Sequence, residues 1–162
     1  LWKTLRNIKN AEKSGLKYIP GIPLNEYSEF LGDNLPVGVS NEELNKFIRI
    51  VEFYHNEGIG ELPAIYSSQN RLCAAVFFCR WKSRAIYLNP ASSKEGKKYS
   101  AMFYLLDKFI TANAGQNITL DFEGSMVPGV ARFYQGFGAI PELYFPLKVN
   151  RLPAPLRWIR RL

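Results

Sequence analysis

Two carboxylates near the end of a predicted strand have the residue types needed for proton transfer. Asp121 and Glu123 stand two residues apart, where the run from Asn117 to Phe122 ends. Side chains at i and i+2 of a strand point to one face, so we expect these carboxylates to lie roughly 7 Å apart. One of them can accept a proton from an attacking amine, and burial would raise its pKa toward the working pH. We favour Glu123 as this base, while Asp121 has the alternative role of fixing the turn that follows it.

A basic loop before a predicted helix has the composition of a phosphate-binding site. Its candidate ligand-binding residues are Ser92, Ser93, Lys94, Gly96, Lys97 and Lys98. A helix N-terminus presents free backbone N–H groups and partial positive charge, to which hydroxyl and ammonium groups would add. A solvated basic turn is the alternative interpretation, and the spacing alone does not decide between the two.

The histidine and the cysteines favour neither a metal site nor a hydrolase triad. His55 is the single histidine, and Cys73 and Cys79 have the wrong spacing for a set of metal ligands. On one strand, an offset of six residues separates the two thiols by roughly 20 Å, which is beyond disulfide reach. Free buried thiols fit a reducing compartment, and we therefore expect a cytoplasmic protein without a metal.

The formal net charge of +7 comes largely from three basic clusters. They lie between Lys3 and Lys17, between Lys94 and Lys98, and between Arg151 and Arg161. Such clusters attract polyanions, among them a nucleotide cofactor, a pyrophosphate lipid, tRNA and an anionic membrane. Ordinary solvated surface is the alternative for each cluster, and the tail 156–162 fits a contact with a membrane surface as well as a packing role.

Length and composition are those of one globular domain. The chain has 162 residues, of which 47% are hydrophobic and 22% charged, and this is enough to bury a core. No stretch approaches the ~18 to 20 uninterrupted apolar residues of a membrane span. The chain begins at Leu1 without a methionine, which fits a fragment of a longer protein.

The apolar pattern predicts the elements that position these residues. Helices are expected at Leu1–Ser14, at Asn25–Leu31, from Ser40 to before Gly58, at Tyr99–Asn113, and from Pro128 to near Gly136. The spacing of Ser40 and Glu43 predicts a capping box at the start of the third of these. Strands are expected at Leu62–Ser67, Arg71–Trp81, Arg84–Leu88, Asn117–Phe122 and Leu143–Val149. The second strand is apolar on both faces and is therefore central. The order from Leu62 onward, β-β-β-α-β-α-β, predicts an α/β fold in which an antiparallel meander opens a mixed sheet with helices on both faces.

Two local segments carry a resemblance to a known superfamily. The segment Ala131–Ala139 contains a Phe-Tyr pair followed by Gly-Phe, and it resembles the motif on the last helix of GNAT acyltransferases. Asp121-Phe122-Glu123-Gly124, followed by Gly129 and the run Phe133–Gly138, is similar to the corresponding part of FemAB-like proteins, a branch that includes peptidoglycan aminoacyltransferases. Together, in this order of elements, the two segments make residues 62–150 resemble the FemAB-like branch of the GNAT superfamily.

The resemblance gives roles to Tyr134 and Arg132. An aromatic residue on a short apolar helix is ordinarily part of the core. In many GNAT enzymes, however, the position that Tyr134 matches protonates the leaving thiolate, or would protonate a ribose hydroxyl if the donor is aminoacyl-tRNA. Arg132 would contact a phosphate or remain exposed. The loop 89–98 has one glycine where enzymes that use acetyl-CoA have a fuller glycine motif, and this departure favours the FemAB-like branch.

An N-acyltransferase is the function that the resemblance implies. It would move an acetyl or other acyl group from CoA, or an aminoacyl group from tRNA, to an amine on a small molecule or a bacterial cell-wall precursor. A backbone N–H on the third meander strand would stabilise the oxyanion. Residues 39–150 would form this domain, with residues 1–38 as an N-terminal helical segment and residues 151–162 as a basic tail. The alternative is a non-catalytic module of the same fold that docks tRNA, an anionic lipid or a protein.

Overall fold

The computed structural model describes residues 2–34 and 38–143. Its helices are α1 (Trp2–Lys13), α2 (Leu24–Asp33), α3 (Asn41–Asn56), α4 (Lys94–Lys98), α5 (Ala101–Ala112) and α6 (Pro128–Gln135). Its strands are β1 (Lys17–Ile19), β2 (Gly60–Glu61), β3 (Ala64–Tyr66), β4 (Leu72–Trp81), β5 (Arg84–Ser92) and β6 (Thr119–Asp121). The predicted last strand, Leu143–Val149, and the basic tail lie outside or at the margin of the described residues.

The strands form one mixed sheet in the order β1-β3-β4-β5-β6, with β2 also paired to β4. Every pair is antiparallel except β5 and β6, which run parallel. The predicted meander is confirmed as β3-β4-β5. The strand predicted at Leu62–Ser67 is present as β3, whereas β2 lies before its predicted start. Pro63 stands between the two strands, where its nitrogen cannot donate to the ladder.

Strand β4 lies at the centre of the molecule and separates two apolar cores. The Phe78 ring faces α1 and α5 and stacks on Phe109 at a centroid distance of 3.7 Å, whereas the Phe77 ring faces α2 and α3. Both rings are fully buried. Truncating either to alanine would cost about 3–5 kcal/mol by leaving a cavity in the core. The prediction of a central strand covered by helices on both faces is confirmed.

The N-terminal segment contributes to the same sheet and core. Strand β1 pairs with β3, and α1 packs on α5 through buried residues that include Ala11. Helix α1 also contacts the end of α6, where a Cβ on Gly136 would lie 2.2 Å from the Thr4 hydroxyl. Residues before position 39 therefore add a strand and two packed helices to the fold. The capping box predicted for α3 is present, since Ser40 and Glu43 exchange both hydrogen bonds.

Two elements differ from their predicted limits near the site. Strand β5 was expected to end at Leu88, but it continues through Asn89 and Pro90 to Ser92 by means of a bulge. The helix expected to begin at Tyr99 is preceded by the separate short helix α4, and Ser100, in the left-handed region at φ 59°, divides α4 from α5. Both differences move the basic loop into regular structure that packs on β4.

Candidate active site

A cleft opens where β5 extends beyond the end of β6. The parallel pairing of the two strands ends at Ile86 and Asp121, but β5 runs on to Ser92. The cleft has a volume of about 620 Å³. Its lining residues are Asn34, Tyr87, Pro90, Ala91, Ser92, Lys97, Met102, Gly129, Val130, Phe133 and Tyr134. The half of β5 that continues beyond its pairing with β6 thus forms one wall of the cleft and α6 the other.

The wall on β5 contains the bulge. Leu88 pairs with Phe77 and Ala91 with Ala75, so that Asn89 and Pro90 together stand opposite the single residue between these partners on β4. Asn89 has φ 41°, a backbone conformation that asparagine tolerates better than most residues do. Pro90 has no N–H, so the predicted oxyanion donor on this strand is a neighbouring residue rather than Pro90.

Helix α4 is held tightly against β4. The Ser93 hydroxyl accepts a hydrogen bond from the Gly96 N–H at 3.1 Å, and the Ser93 N–H donates to the Cys73 carbonyl oxygen at 3.0 Å. Gly96 is buried, and a Cβ there would lie 1.9 Å from the same carbonyl oxygen. Glycine is therefore needed at this position for close packing. The Ser93 hydroxyl caps its own helix.

The lysines of α4 lie in different surroundings. Lys97 lines the cleft together with Ser92. The Lys98 ammonium instead lies 5.1 Å from the centroid of the Tyr99 ring, and Lys94 is exposed at the first turn of the helix. Of the six loop residues predicted to bind a cofactor, Ser92 and Lys97 are thus the two that line the cleft.

Tyr134 projects from α6 into an aromatic cluster at the cleft. Its ring stacks on Phe122 at 4.4 Å and meets the edge of Tyr87 at 6.0 Å. The side chain is half-buried, and this burial raises the pKa of its phenol above the ordinary value of 10.0. The group therefore remains protonated at neutral pH, as a proton donor to a leaving group must be.

The two predicted carboxylates do not share one strand face. Strand β6 ends at Asp121, and Glu123 is exposed with φ 57°, so the geometry expected from an i, i+2 offset is wrong. Asp121 forms an ion pair with Arg84 and accepts a hydrogen bond from the Glu123 N–H at 2.8 Å. The Asp121 carboxylate thus fixes the turn, which is the alternative that its sequence context offered. Glu123 is not among the residues that line the cleft.

Arg132 lines a second hollow, on the other side of α6. This space, of about 460 Å³, lies between α1, α5 and α6 and also receives Lys3, Thr4 and Gln135. Gly129 and Phe133 line both spaces, so the two are adjacent. The structure therefore separates Arg132 from Lys97, although the sequence grouped them as cofactor-binding candidates.

Sequence reasoning missed several residues that line the cleft. Tyr87 is almost fully buried on β5, and Met102 and Val130 line the cleft from α5 and α6. The sequence did carry one signal for Tyr87, which is a tyrosine within an apolar strand. A buried tyrosine hydroxyl needs either a polar partner or access to a cavity. Within residues 2–34 and 38–143, no group of three His, Cys, Asp or Glu side chains could hold a metal ion, and both cysteines are free. None of the described helices has the length and hydropathy needed to cross a membrane.

No family model matches the chain, and no curated protein matches it in sequence. Solved structures do match. FemX superposes with a TM-score of 0.67 at 13% identity over 84% of this chain. The aminoglycoside 6'-N-acetyltransferase AAC(6')-Ih from Acinetobacter baumannii gives 0.58 at 11% identity, over 84% of this chain and all of that one. A GNAT family acetyltransferase from Elizabethkingia anophelis with acetyl-CoA bound gives 0.53 at 17% identity, over 76% of this chain and 74% of that one.

The chain has the GNAT fold. The resemblance drawn from residues 121–139 is confirmed at the level of the fold, with FemX among the similar structures. The described GNAT domain covers 53% of FemX, so the chain spans about half the length of that relative.

Proposed function

We propose that the chain is an N-acyltransferase domain. The observation that carries the proposal is the cleft, which is lined both by the half of β5 beyond its pairing with β6 and by Tyr134 on α6. A fold held in common at low identity does not by itself assign an activity, whereas the chemical groups in the cleft limit the reactions that it can support.

The cleft has groups suited to both halves of acyl transfer. An amine nitrogen attacks the donor carbonyl carbon, a tetrahedral oxyanion forms, and the bond to the leaving sulfur or oxygen then breaks. A backbone N–H of β5 next to Pro90 would stabilise the oxyanion. Tyr134, kept protonated by burial, would give its proton to the leaving thiolate or ribose hydroxyl. The proton lost by the amine passes to water or a carboxylate, and Glu123 remains our sequence-based candidate for the latter.

Two donors fit the mouth of the cleft. Ser92 and Lys97 offer a hydroxyl and a positive charge to a phosphate, as either CoA or the terminal nucleotides of a tRNA would require. Acetyl-CoA bound to the Elizabethkingia anophelis protein supports the first donor. The FemAB-like resemblance of the sequence supports aminoacyl-tRNA as the donor and an amine of a cell-wall precursor as the acceptor, and we place this reaction in the cytoplasm. Neither donor requires a metal.

Calorimetric titration with acetyl-CoA tests the donor. Lys97→Glu reverses a charge in the cleft, and Lys98→Glu makes the same change one residue away, above Tyr99. We expect micromolar binding to the unaltered chain, at least tenfold weaker binding after Lys97→Glu, and little change after Lys98→Glu. Desulfo-CoA should bind similarly, because the contacts proposed for Ser92 and Lys97 are to the phosphates and not to the sulfur. Absence of binding would move the test to alanyl-tRNA.

A non-catalytic role is the second candidate, and the internal use of the loop favours it. The Ser93 hydroxyl caps α4 and Gly96 packs on Cys73, so neither is free to hold a ligand. Such a module would bind tRNA or anionic vesicles with a steep dependence on salt concentration and without turnover. Acyl transfer from either donor to a primary amine would exclude it.

A further inference from the structure

Helix α2 reaches across the sheet and contacts the bulge of β5. The Tyr27 side chain is fully buried, and its hydroxyl donates a hydrogen bond to the Asn89 carbonyl oxygen at 3.0 Å, across 62 residues of sequence. We propose that Tyr27 is a positioning residue, which holds the cleft wall of β5 in the geometry that acyl transfer needs. This inference rests on the proposed function.

The bulge is the part of β5 that most needs such a contact. Asn89 lies at a positive φ of 41°, and Pro90 has no N–H to donate to the ladder. Asn89 and Pro90 stand opposite one residue of β4, so regular pairing is interrupted there. The Tyr27 hydroxyl, on a buried side chain, gives the Asn89 carbonyl a fixed partner within the protein, in a hydrogen bond that is partly buried. Such a bond fixes the direction of the peptide that leads into Pro90 and Ala91.

The bulge and the cleft share residues. Pro90 and Ala91 line the cleft, whereas Tyr27 does not. Any N–H that stabilises an oxyanion from this wall inherits its orientation from the bulge. Displacements of about 1 Å in a reacting geometry can cost about a hundredfold in rate. Loss of the Tyr27 hydroxyl should therefore act on turnover through the backbone, without removing a group that touches the substrate.

A second tyrosine provides a matched control. The Tyr66 hydroxyl on β3 donates to the Glu26 carboxylate on α2, so it also ties α2 to the sheet but does not contact the bulge. Tyr27→Phe and Tyr66→Phe each remove one hydroxyl and leave the ring in place. Hydrogen exchange measured by mass spectrometry on the peptide 86–93 compares them without any substrate. We expect faster exchange in this peptide after Tyr27→Phe and exchange like that of the unaltered chain after Tyr66→Phe.

Turnover provides the second readout, with acetyl-CoA or alanyl-tRNA as donor and a lysine-containing peptide as the amine. We expect Tyr27→Phe to lower kcat by about tenfold to a hundredfold with the donor KM within about threefold, and Tyr66→Phe to change neither. Unchanged exchange at 86–93, or unchanged kcat in an active protein, would overturn the inference. If the unaltered chain transfers nothing from either donor, the proposed function fails, and the exchange comparison still decides whether Tyr27 holds the bulge.

Discussion

At the scale of single residues, Tyr134 and Glu123 lie in opposite surroundings. Tyr134 is half-buried among aromatic rings and lines the cleft, whereas Glu123 is exposed and does not. Burial favours the neutral phenol and raises its pKa, which suits an acid and not a base. The structure thus brings the proposed proton donor, Tyr134, to the cleft and leaves Glu123, the candidate base, outside its lining.

Replacing Tyr134 by phenylalanine tests this assignment. The ring keeps its stacking on Phe122, so the fold should be preserved while the proton donor is lost. We expect kcat to fall by about a hundredfold or more, with donor affinity unchanged by calorimetry. Because the raised pKa keeps the phenol protonated, Tyr134 should cause no decline in kcat between about pH 7 and pH 9.

Glu123→Gln is the matching substitution for the carboxylate. Its exposure and its position outside the cleft lining lead us to expect a kcat within about threefold of the unaltered value, which is the range of an indirect effect. A loss equal to that of Tyr134→Phe would restore Glu123 as the base. It would also mean that the turn after β6 rearranges when substrate binds.

At the scale of elements, the local pattern of apolar and capping residues predicted most of the local secondary structure. The apolar run of β4 identified a central strand, and Ser40 with Glu43 identified the start of α3. The pattern failed at β5, where Asn-Pro normally ends a strand. The strand continues there because a bulge accommodates both residues and Tyr27 binds the Asn89 carbonyl. A partner 62 residues away, acting on a backbone atom, leaves no local signal.

Helix α4 depends on one glycine for its contact with the sheet. Gly96→Ala would place a Cβ within 1.9 Å of the Cys73 carbonyl oxygen and push α4, with Lys97, away from β4. We expect a loss of about 1–3 kcal/mol in the free energy of unfolding, the usual cost of overpacking, measured by urea denaturation. Weakened acetyl-CoA binding should accompany it.

Gly129→Ala is the control for this prediction. Gly129 also lies in a helix, and a Cβ there would meet nothing within 4 Å. Alanine should therefore be neutral or stabilise the protein by about 0.5–1 kcal/mol through helix propensity. Equal effects of the two substitutions would mean that α4 is not held as closely to β4 as the structure has it.

At the scale of the whole molecule, the sequence predicted the fold better than the site. Tyr134, Ser92 and Lys97 are brought to one cleft from separate elements. Arg132 lies in the other hollow, because α6 turns it away from Tyr134. Tyr87 and Met102 line the cleft that opens where β5 continues beyond its pairing with β6. The meeting of these residues in one cleft depends on tertiary structure, about which the apolar periodicity of the sequence carries no information.

Buried phenols make the stability of the molecule sensitive to alkaline pH. Burial is the first cause that raises the pKa of Tyr18, Tyr27, Tyr66, Tyr87 and Tyr134. These folded-state pKa values exceed the unfolded value of about 10. Their stabilising contribution is therefore complete below about pH 9 and is lost as the pH rises through 10, where the unfolded chain releases protons first.

We expect the urea midpoint to be level between about pH 7 and pH 9 and to fall above that range. Ultraviolet titration of the tyrosines should show ionisation coinciding with unfolding. Tyr27→Phe removes one of the five phenols and should make the fall shallower. A midpoint that stays level above pH 10 would show that the phenols ionise as readily in the folded chain as in the unfolded one.

The short attachment of β6 has one further consequence. Three residue pairs join β6 to β5, and no residue of α6 is fully buried. A ligand bound between β5 and α6 would connect the two elements through contacts that β5 and β6 do not make with each other. A ligand at a concentration of one hundred times its Kd stabilises the folded state by about 2.7 kcal/mol. Here the stabilising contacts would be made to β6 and α6. We therefore expect ligand binding in the cleft and the ordering of β6 and α6 to be thermodynamically linked, so that each favours the other.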